Sequence, residues 1–366
     1  MATTLTQAPP PQAGHGEAAD AQARYGLPGK APASERIGFL LVPRFSMMAF
    51  FSAVEPLRVA NRLSGRQLYS WHTFSLDGEP VAASNAMTLV ADLPIAAVES
   101  FPTVIVCASF EPEKAETRPL LAWLRKLDRK GAVLGAVDTG THILARAGVL
   151  DGYRITLHWE NLSGFREEFP ELDVTGELFE IDGRRFTAAG GTAPLDMMLH
   201  LIASRHGREL AVGISEQLLH ARIRNPDDHQ RMAMGLRLGV RHPKLVRILE
   251  TMEQTLEEPL SADRLAAVGG ISRRQLERLF RSYLGHTPTG YYLKLRLDRA
   301  RQLLEQTDLS VLEVGLASGF ASAPYFSRAY KAQFGCSPRE HRRRVREISF
   351  APPPVVALDG AAAAAG

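Results

Sequence analysis

The segment AVLGAV-Asp138-Thr139-GTHILARAG places a carboxylate at a strand-to-helix turn. Such a turn lifts its side chain above the sheet, beside helix N–H groups that no backbone carbonyl has taken. A thiol there would be a nucleophile at neutral pH, whereas a carboxylate is a weak one and poorly suited to attacking amides. Asp138 therefore points to binding chemistry. A carboxylate inside a cleft needs compensation, because a buried unpaired charge is costly. A cationic amine could supply that charge, and Trp159 could offer an aromatic face to a methylated ammonium. A second reading stands beside this one: Asp138 caps its own helix and needs no ligand.

The other pocket candidates are Glu55, Thr139, His158, Trp159 and Glu160. Each has a plainer alternative. His158, with no thiol to serve, can be a hydrogen-bonded structural histidine, and Trp159 can be core. Glu55, in SAVEPLRVAN, can be a surface carboxylate near a helix start. Cys107, inside the apolar run TVIVCAS, reads as a small core residue.

A second constellation lies nearer the C-terminus. Arg274, Arg278 and Arg281 follow i, i+4, i+7 spacing, with Arg273 and Glu277 among them, on a helix expected over 273–284. Leu276, Leu279, Phe280 and Tyr283 form the expected buried stripe. Guanidinium groups on an exposed helix that fits the major groove can read guanine edges or grip phosphates. Taken alone, such a face can also be solvated and belong to a helical interaction module. The pattern returns at a spacing of 50, however. Ala267, Gly269, Ser272, Arg278, Gly285 and Pro288 recur as Ala317, Gly319, Ser322, Arg328, Gly335 and Pro338. In each copy a Gly permits the tight turn and a Ser caps the helix that follows. The second copy offers Ser327, Arg328 and Lys331 on a less basic face. Two copies in register favour binding to double-stranded DNA over the interaction-module alternative.

These side chains need two kinds of scaffold. Apolar runs at 37–42 (IGFLLV), 103–108 (TVIVCA) and 132–137 (AVLGAV) read as strands covered on both faces, and 68–76 is strand-like. They alternate with helical stretches at 49–63 and 119–130, the signature of an α/β domain with a mostly parallel sheet. Asp182–Gly183 marks a hairpin, and helices are expected at 193–206 and 208–223. From 241 to 346 no strand signal survives and the chain reads as all-α. The boundaries follow: a tail over 1–34, an α/β sensor domain over 35–227, a linker over 228–241, a DNA-binding domain over 242–346 and a tail over 347–366.

Composition agrees. Between Arg241 and Phe350 there are 19 Lys and Arg against 12 Asp and Glu, net +7, which leaves the remainder at −4. A basic end on a mildly acidic body suits contact with a polyanion. Two distant cysteines argue against a disulfide framework or a zinc site and fit the reducing cytoplasm. No apolar run reaches the roughly 20 residues needed to span a bilayer. No cofactor is expected.

The stretches LSADRLAAVGGISRRQLERLFRSYLGHTPTGYYLKLRLDRARQLL and GFASAPYFSRAYKAQFGCSPREHRR resemble the DNA-binding domain of the AraC/XylS family. The resemblance places Arg274, Glu277 and Arg278 at base-facing positions of one recognition helix. Ala323, Pro324, Ser327 and Arg328 take those of the other, where Ala323 and Pro324 offer little hydrogen bonding. The elbow, GVLDGYRITLHW and TAAGGTAPLDMMLHLI resemble the PfpI branch of the class I glutamine-amidotransferase-like superfamily, with a flavodoxin-type sheet. In that superfamily's enzymes the elbow residue is a cysteine, and here it is Asp138. Together the halves resemble GlxA-type regulators, and GGTAPLDMMLHLIASRHGREL and RIRNPDDHQR are similar to those controlling quaternary-amine catabolism. The resemblance implies a ligand-responsive transcriptional regulator, an activator of catabolic genes, working as a homodimer with RNA polymerase and a small-molecule effector such as glycine betaine or carnitine. The alternative it leaves is a PfpI-like hydrolase or deglycase with an appended DNA-binding module.

Overall fold

In the computed structural model, residues 34–307 and 309–348 are described. The expected tails lie, but for their innermost residues, outside the described residues. The chain divides into two compact units. Among the described residues, one holds 34–158 together with Glu171–Gln230, and the other holds Trp159–Pro170 and those from Arg231 to Ile348.

The first unit is built on a seven-stranded sheet. Its strands are β1 (Glu35–Leu41), β2 (Tyr69–Ser75), β3 (Leu93–Pro94), β4 (Thr103–Ala108), β5 (Val133–Asp138), β6 (Phe179–Asp182) and β7 (Arg185–Ala188). Their order across the sheet is β6-β7-β5-β4-β1-β2-β3, parallel except for the β6–β7 hairpin. The apolar runs are continuous because both faces are covered. Phe39, Leu41, Ile105 and Cys107 join one core cluster, while the alternate residues Leu40, Val104 and Val106 are fully buried elsewhere. The first cluster is closed by α1 (Met47–Ser64), α5 (Ala193–His206) and α6 (Arg208–Gln217), which pack on one another. Away from them, α2 (Arg118–Arg129) packs on α3 (Gly140–Arg146), and α3 on β4 and β5.

The sequence expectation for α6 overshoots. A helix over 208–223 gives way to one ending at Gln217, with Leu219 in left-handed conformation at φ 54°. Tertiary bonds win over helical continuation here. Asp196 is fully buried in the first turn of α5 and accepts from His220 Nε2 at 2.7 Å, Arg224 N at 2.7 Å and Arg224 Nε at 2.8 Å. A buried carboxylate is tolerated only when paired and hydrogen-bonded in this way. The segment read as a linker, 228–241, contains the point where the chain passes from one unit to the other. Gln230 belongs to the α/β unit, and the helix α7 (Met234–Leu238) belongs to the other.

In the second unit, α4 (Leu162–Glu168) is grouped with the C-terminal helices α8 (Pro243–Gln254), α9 (Ala262–Gly269), α10 (Arg273–Leu284), α11 (Pro288–Gln306), α12 (Val311–Ala317), α13 (Ala323–Phe334) and α14 (Pro338–Ile348). Two small cores lie along α11. Leu276, Phe280, Tyr291 and Tyr292 belong to one; Leu297, Leu304, Phe326 and Tyr330 belong to the other. Among the described residues no helix is long and apolar enough to cross a membrane.

Candidate effector cleft and DNA-reading helices

β5 runs straight into α3 through Asp138 and Thr139. Asp138 takes a left-handed conformation at φ 60°, a strain of about 1–3 kcal/mol for a non-glycine residue that the surroundings must hold in place. Three contacts do so. A Cβ at Gly140 would lie 2.2 Å from Val106 O, so only glycine lets α3 start this close to β4. Thr139 Oγ1 donates to Ser109 O at 2.6 Å, and Thr141 Oγ1 donates to Thr156 O at 2.9 Å. The second bond brings the segment leading to His158 alongside the elbow.

Asp138 and His158 come together over Gly190. The point where a Gly190 Cβ would sit is 2.9 Å from Asp138 Oδ2 and 3.0 Å from His158 Cδ2. Asp138 is 7% exposed, Thr139 is buried and His158 is half-buried, so the carboxylate is largely withdrawn from water. Glu55, expected as a pocket residue, is half-buried on the helix that helps close the first core cluster. It lies within α1, with Pro56 in the helix interior, and its Oε2 accepts from Arg58 Nε at 2.9 Å. Trp159 and Glu160 fall on the turn where the chain leaves the α/β unit, both half-buried. The Arg231 guanidinium stacks on the Trp159 ring, 4.2 Å from its centroid.

Cys107 is fully buried, and desolvation together with the nearby Asp138 carboxylate pushes its thiol well above the ordinary cysteine range. It supplies no thiolate to the cleft. Gly190, which borders both Asp138 and His158, was missed from sequence; its signal was the Gly-Gly pair in TAAGGTAPLD.

In the helical unit, α10 covers the expected span. Ser272 caps it through Gln275 N at 3.3 Å, and Gln275 Oε1 accepts from Ser272 N at 2.9 Å, a reciprocal capping box. Arg273, Arg274, Glu277, Arg278 and Arg281 are all exposed, and Arg273 leans on Glu277 and Asp263 at 3.4 and 3.7 Å. Leu276 and Phe280 are buried, but Tyr283 is 46% exposed. It leaves the expected buried stripe because its ring packs edge-on against His242, 6.1 Å between centroids, at the margin of the core. A groove beside α10 is lined by His242, Lys244, Gln275 and Arg278, which adds Lys244 to the cations near this face.

The second copy repeats the design. Phe326 and Tyr330 are buried on α13 as Leu276 and Phe280 are on α10; Arg328 and Lys331 are exposed, and Ser327 is half-buried. Ala323 and Pro324 are exposed in the first turn. The 50-residue register breaks at the turn. Gly269, read as the turn glycine, ends α9, where an added Cβ would lie 2.5 Å from Ile248 Cδ1. The left-handed residue is Gly270 in the first copy (φ 58°) and Gly319 in the second (φ 77°). The second copy has one more residue between its capping serines, Ser310 and Ser322, than lies between Ser261 and Ser272.

A carboxylate-bearing elbow on a doubly covered parallel sheet, followed by two capped recognition helices on one shared helix, is the build of a DNA-binding transcriptional regulator. A helix-turn-helix domain model matches residues 265–344, and a DJ-1/PfpI family model matches residues 35–204. The HTH-type transcriptional regulator CdhR of Pseudomonas aeruginosa is 54% identical over 84% of this chain and 92% of its own length. GbdR of the same organism is 49% identical over 87% of each chain, and GlxA of Rhizobium meliloti is 42% identical over 85% of this chain and 96% of its own. A crystal structure of an AraC family transcriptional regulator from Pseudomonas putida, 32% identical, aligns at a TM-score of 0.47 over 50% of this chain and 99% of that one. The chain belongs to the family of HTH-type transcriptional regulators that join a DJ-1/PfpI domain to an AraC-type helix-turn-helix region.

Proposed function

We propose that the α/β unit is a sensor for a small cationic amine, a quaternary one such as a betaine or carnitine, and that its occupancy governs transcription of catabolic genes. The observation that carries this reading is the Asp138 carboxylate, withdrawn from water at the elbow beside His158 and Gly190. An ammonium ligand reaching the elbow would meet this carboxylate through a charge-assisted contact. Asp138, Thr139 and His158 form the heart of the site. Trp159 and Glu160 flank it in sequence, and any ligand stacking on Trp159 must share the ring with Arg231. Turnover is not part of this function, since an aspartate stands where a thiolate would attack.

On DNA, Arg274, Glu277 and Arg278 read bases, Arg273 and Arg281 grip phosphates, and Ser327, Arg328 and Lys331 make the second, weaker contact. The regulator acts as a cytoplasmic homodimer and as an activator that engages RNA polymerase. Isothermal titration of glycine betaine, carnitine and arginine into wild type and Asp138→Asn tests the sensor. Asn keeps any helix-capping bond but loses the charge. The reading expects one of the amines to bind wild type and the variant to bind it at least tenfold more weakly, about the cost of one lost charge-assisted contact. Equal binding would refute pairing at Asp138, and no binding by any amine would refute the effector class. Methylglyoxal consumption that Asp138→Ala abolishes would restore the deglycase alternative.

A further inference from the structure

The segment that leaves the α/β unit, from His220 to Gln230, is tied to the two stretches of chain that adjoin Asp138, the walls of the proposed cleft. One wall is the Gly190–Gly191–Thr192 turn that precedes α5. Arg224 Nη2 donates to Thr192 Oγ1 at 2.7 Å, while Arg224 N and Nε donate to the two oxygens of Asp196, one turn further into the same helix. The Arg224 carbonyl accepts from His200 Nε2 at 3.0 Å, so the residue is held from four directions. The other wall is Thr156–Leu157–His158. Gln230 Nε2 reaches Thr156 Oγ1 at 3.1 Å, Leu157 O at 3.0 Å and Glu177 O at 2.7 Å, and His229 forms a β-bridge with Glu177. Between the two ties, Leu178 N donates to Pro226 O at 2.9 Å and Asn225 N donates to Asp228 Oδ2 at 2.7 Å.

These ties reach the residues next to Asp138's own neighbours. Gly190 lies against the Asp138 carboxylate and the His158 ring, two residues before Thr192; His158 follows Leu157 directly. Anything that enters between Asp138, His158 and Gly190 must push on at least one wall. Packed walls do not yield continuously, and a displaced wall strains or breaks its hydrogen bond. Both bonds end on the same eleven-residue segment, and Gln230 is joined by one peptide bond to Arg231, where the chain passes into the unit that carries the helix-turn-helix region.

We propose that Arg224 and Gln230 are positioning residues of the effector cleft, and that the segment 220–230 is the element through which the state of the cleft reaches the helix-turn-helix region. This rests on the reading of the cleft as the effector site. The energy involved is that of one or two hydrogen bonds, enough to shift a local opening equilibrium roughly three- to tenfold.

Hydrogen–deuterium exchange on the full chain tests it without requiring the effector to be known. Gly190→Ala puts a methyl group into the point shared by Asp138 and His158. The expected result is three- to tenfold faster exchange in a peptide spanning 222–230, with β4 peptides unchanged. Thr192→Val, nearly isosteric, removes the Arg224 acceptor and should speed the same peptide even if Gly190→Ala fails to fold. In an Arg224→Lys, Gln230→Ala background, neither substitution should have a further effect on the peptide. Unchanged exchange at 222–230 in Thr192→Val, or an equal response with the braces removed, would overturn the proposal. A parallel titration with glycine betaine separates the two readings. If the amine binds while the segment ignores both it and Thr192→Val, the brace fails and the sensor stands. If no amine binds but the segment responds to both substitutions, the choice of effector fails and the brace stands.

Discussion

Asp138 Oδ2 and His158 Cδ2 lie 2.9 and 3.0 Å from a single point, the place a Cβ on Gly190 would fill. Two polar side chains twenty residues apart in sequence thus both border the space that one missing methyl group leaves. Gly190→Ala should force them apart, costing about 1–3 kcal/mol as overpacking does in a close-packed interior. Urea unfolding should show a lower midpoint with an unchanged slope. A midpoint equal to wild type would mean that the two side chains give way freely and that the cleft is not held.

How this site was legible in sequence is uneven, and the reasons are physical. Asp138 could be found because an apolar run of strand length, followed by a Thr-Gly turn and a helix, is a local pattern. The bracing carboxylate Asp196 could not, because its partners His220 and Arg224 lie 24 and 28 residues away and no local rule pairs them. The same buried charge ended α6 early, at Gln217, in a stretch whose own residues favour helix. In the helical unit the capping serines, the apolar stripes and the closing glycines are all local signals, so α10 was found over its whole length. Tyr283 escaped because the margin of a core depends on a neighbour, His242, that sequence spacing does not place.

On DNA the two recognition helices should behave unequally. Arg278 is exposed at the centre of α10, while α13 presents Ala323 and Pro324 at the corresponding entry. Arg278→Ala should weaken specific binding by about 1–3 kcal/mol and relax preference at one base pair, whereas Arg281→Ala should weaken all sequences alike and lower the salt slope. Competition binding at several salt concentrations distinguishes them. Identical losses on specific and random duplex from Arg278→Ala would remove its base-reading role.

Burial raises the Cys107 thiol and keeps it from ionising at neutral pH. A thiol reagent such as dithionitrobenzoate should therefore react with Cys107 in the native chain only at the rate of local opening, and fully in guanidinium. Mass mapping of the label separates it from Cys336. Immediate labelling of native Cys107 would reopen thiol chemistry in the cleft.

Desolvation lowers His200, even though its Nε2–H donates to the Arg224 carbonyl. The unfolded ring takes up a proton near its ordinary value of 6.5, and the folded ring only at lower pH. Between these values the unfolded state binds more protons, so stability falls as pH drops below about 6.5 and levels off once the folded ring is also charged. His206 is lowered in the same sense, by burial and by Arg205 and Arg66. Urea midpoints at pH 7.5 and 5.5 should therefore fall further for wild type than for His200→Gln, which keeps a donor without the titration. An equal fall in both would assign the acid sensitivity to other groups.

The last prediction concerns how the second helix-turn-helix is held. Arg296, on α11, donates from Nε to Ser318 O at 2.9 Å and from Nη2 to Gly319 O at 2.5 Å, and its guanidinium lies over the Phe320 ring, 4.1 Å from the centroid. One planar fork thus fixes the whole turn between α12 and α13, in the copy that carries an extra residue and needs Gly319 at φ 77°. Ser318 is fully buried, so losing the fork strands carbonyls that water reaches poorly. Arg296→Ala should cost about 1–3 kcal/mol by that account, and Arg296→Lys should recover only part of it, because an ammonium cannot reproduce the paired geometry. The functional effect should be selective. With α13 no longer fixed on α11, a hydroxyl-radical footprint should keep the protection given by α10 and lose that of the second groove. A full two-groove footprint at wild-type affinity, with an unchanged unfolding midpoint, would show that the turn is held without Arg296.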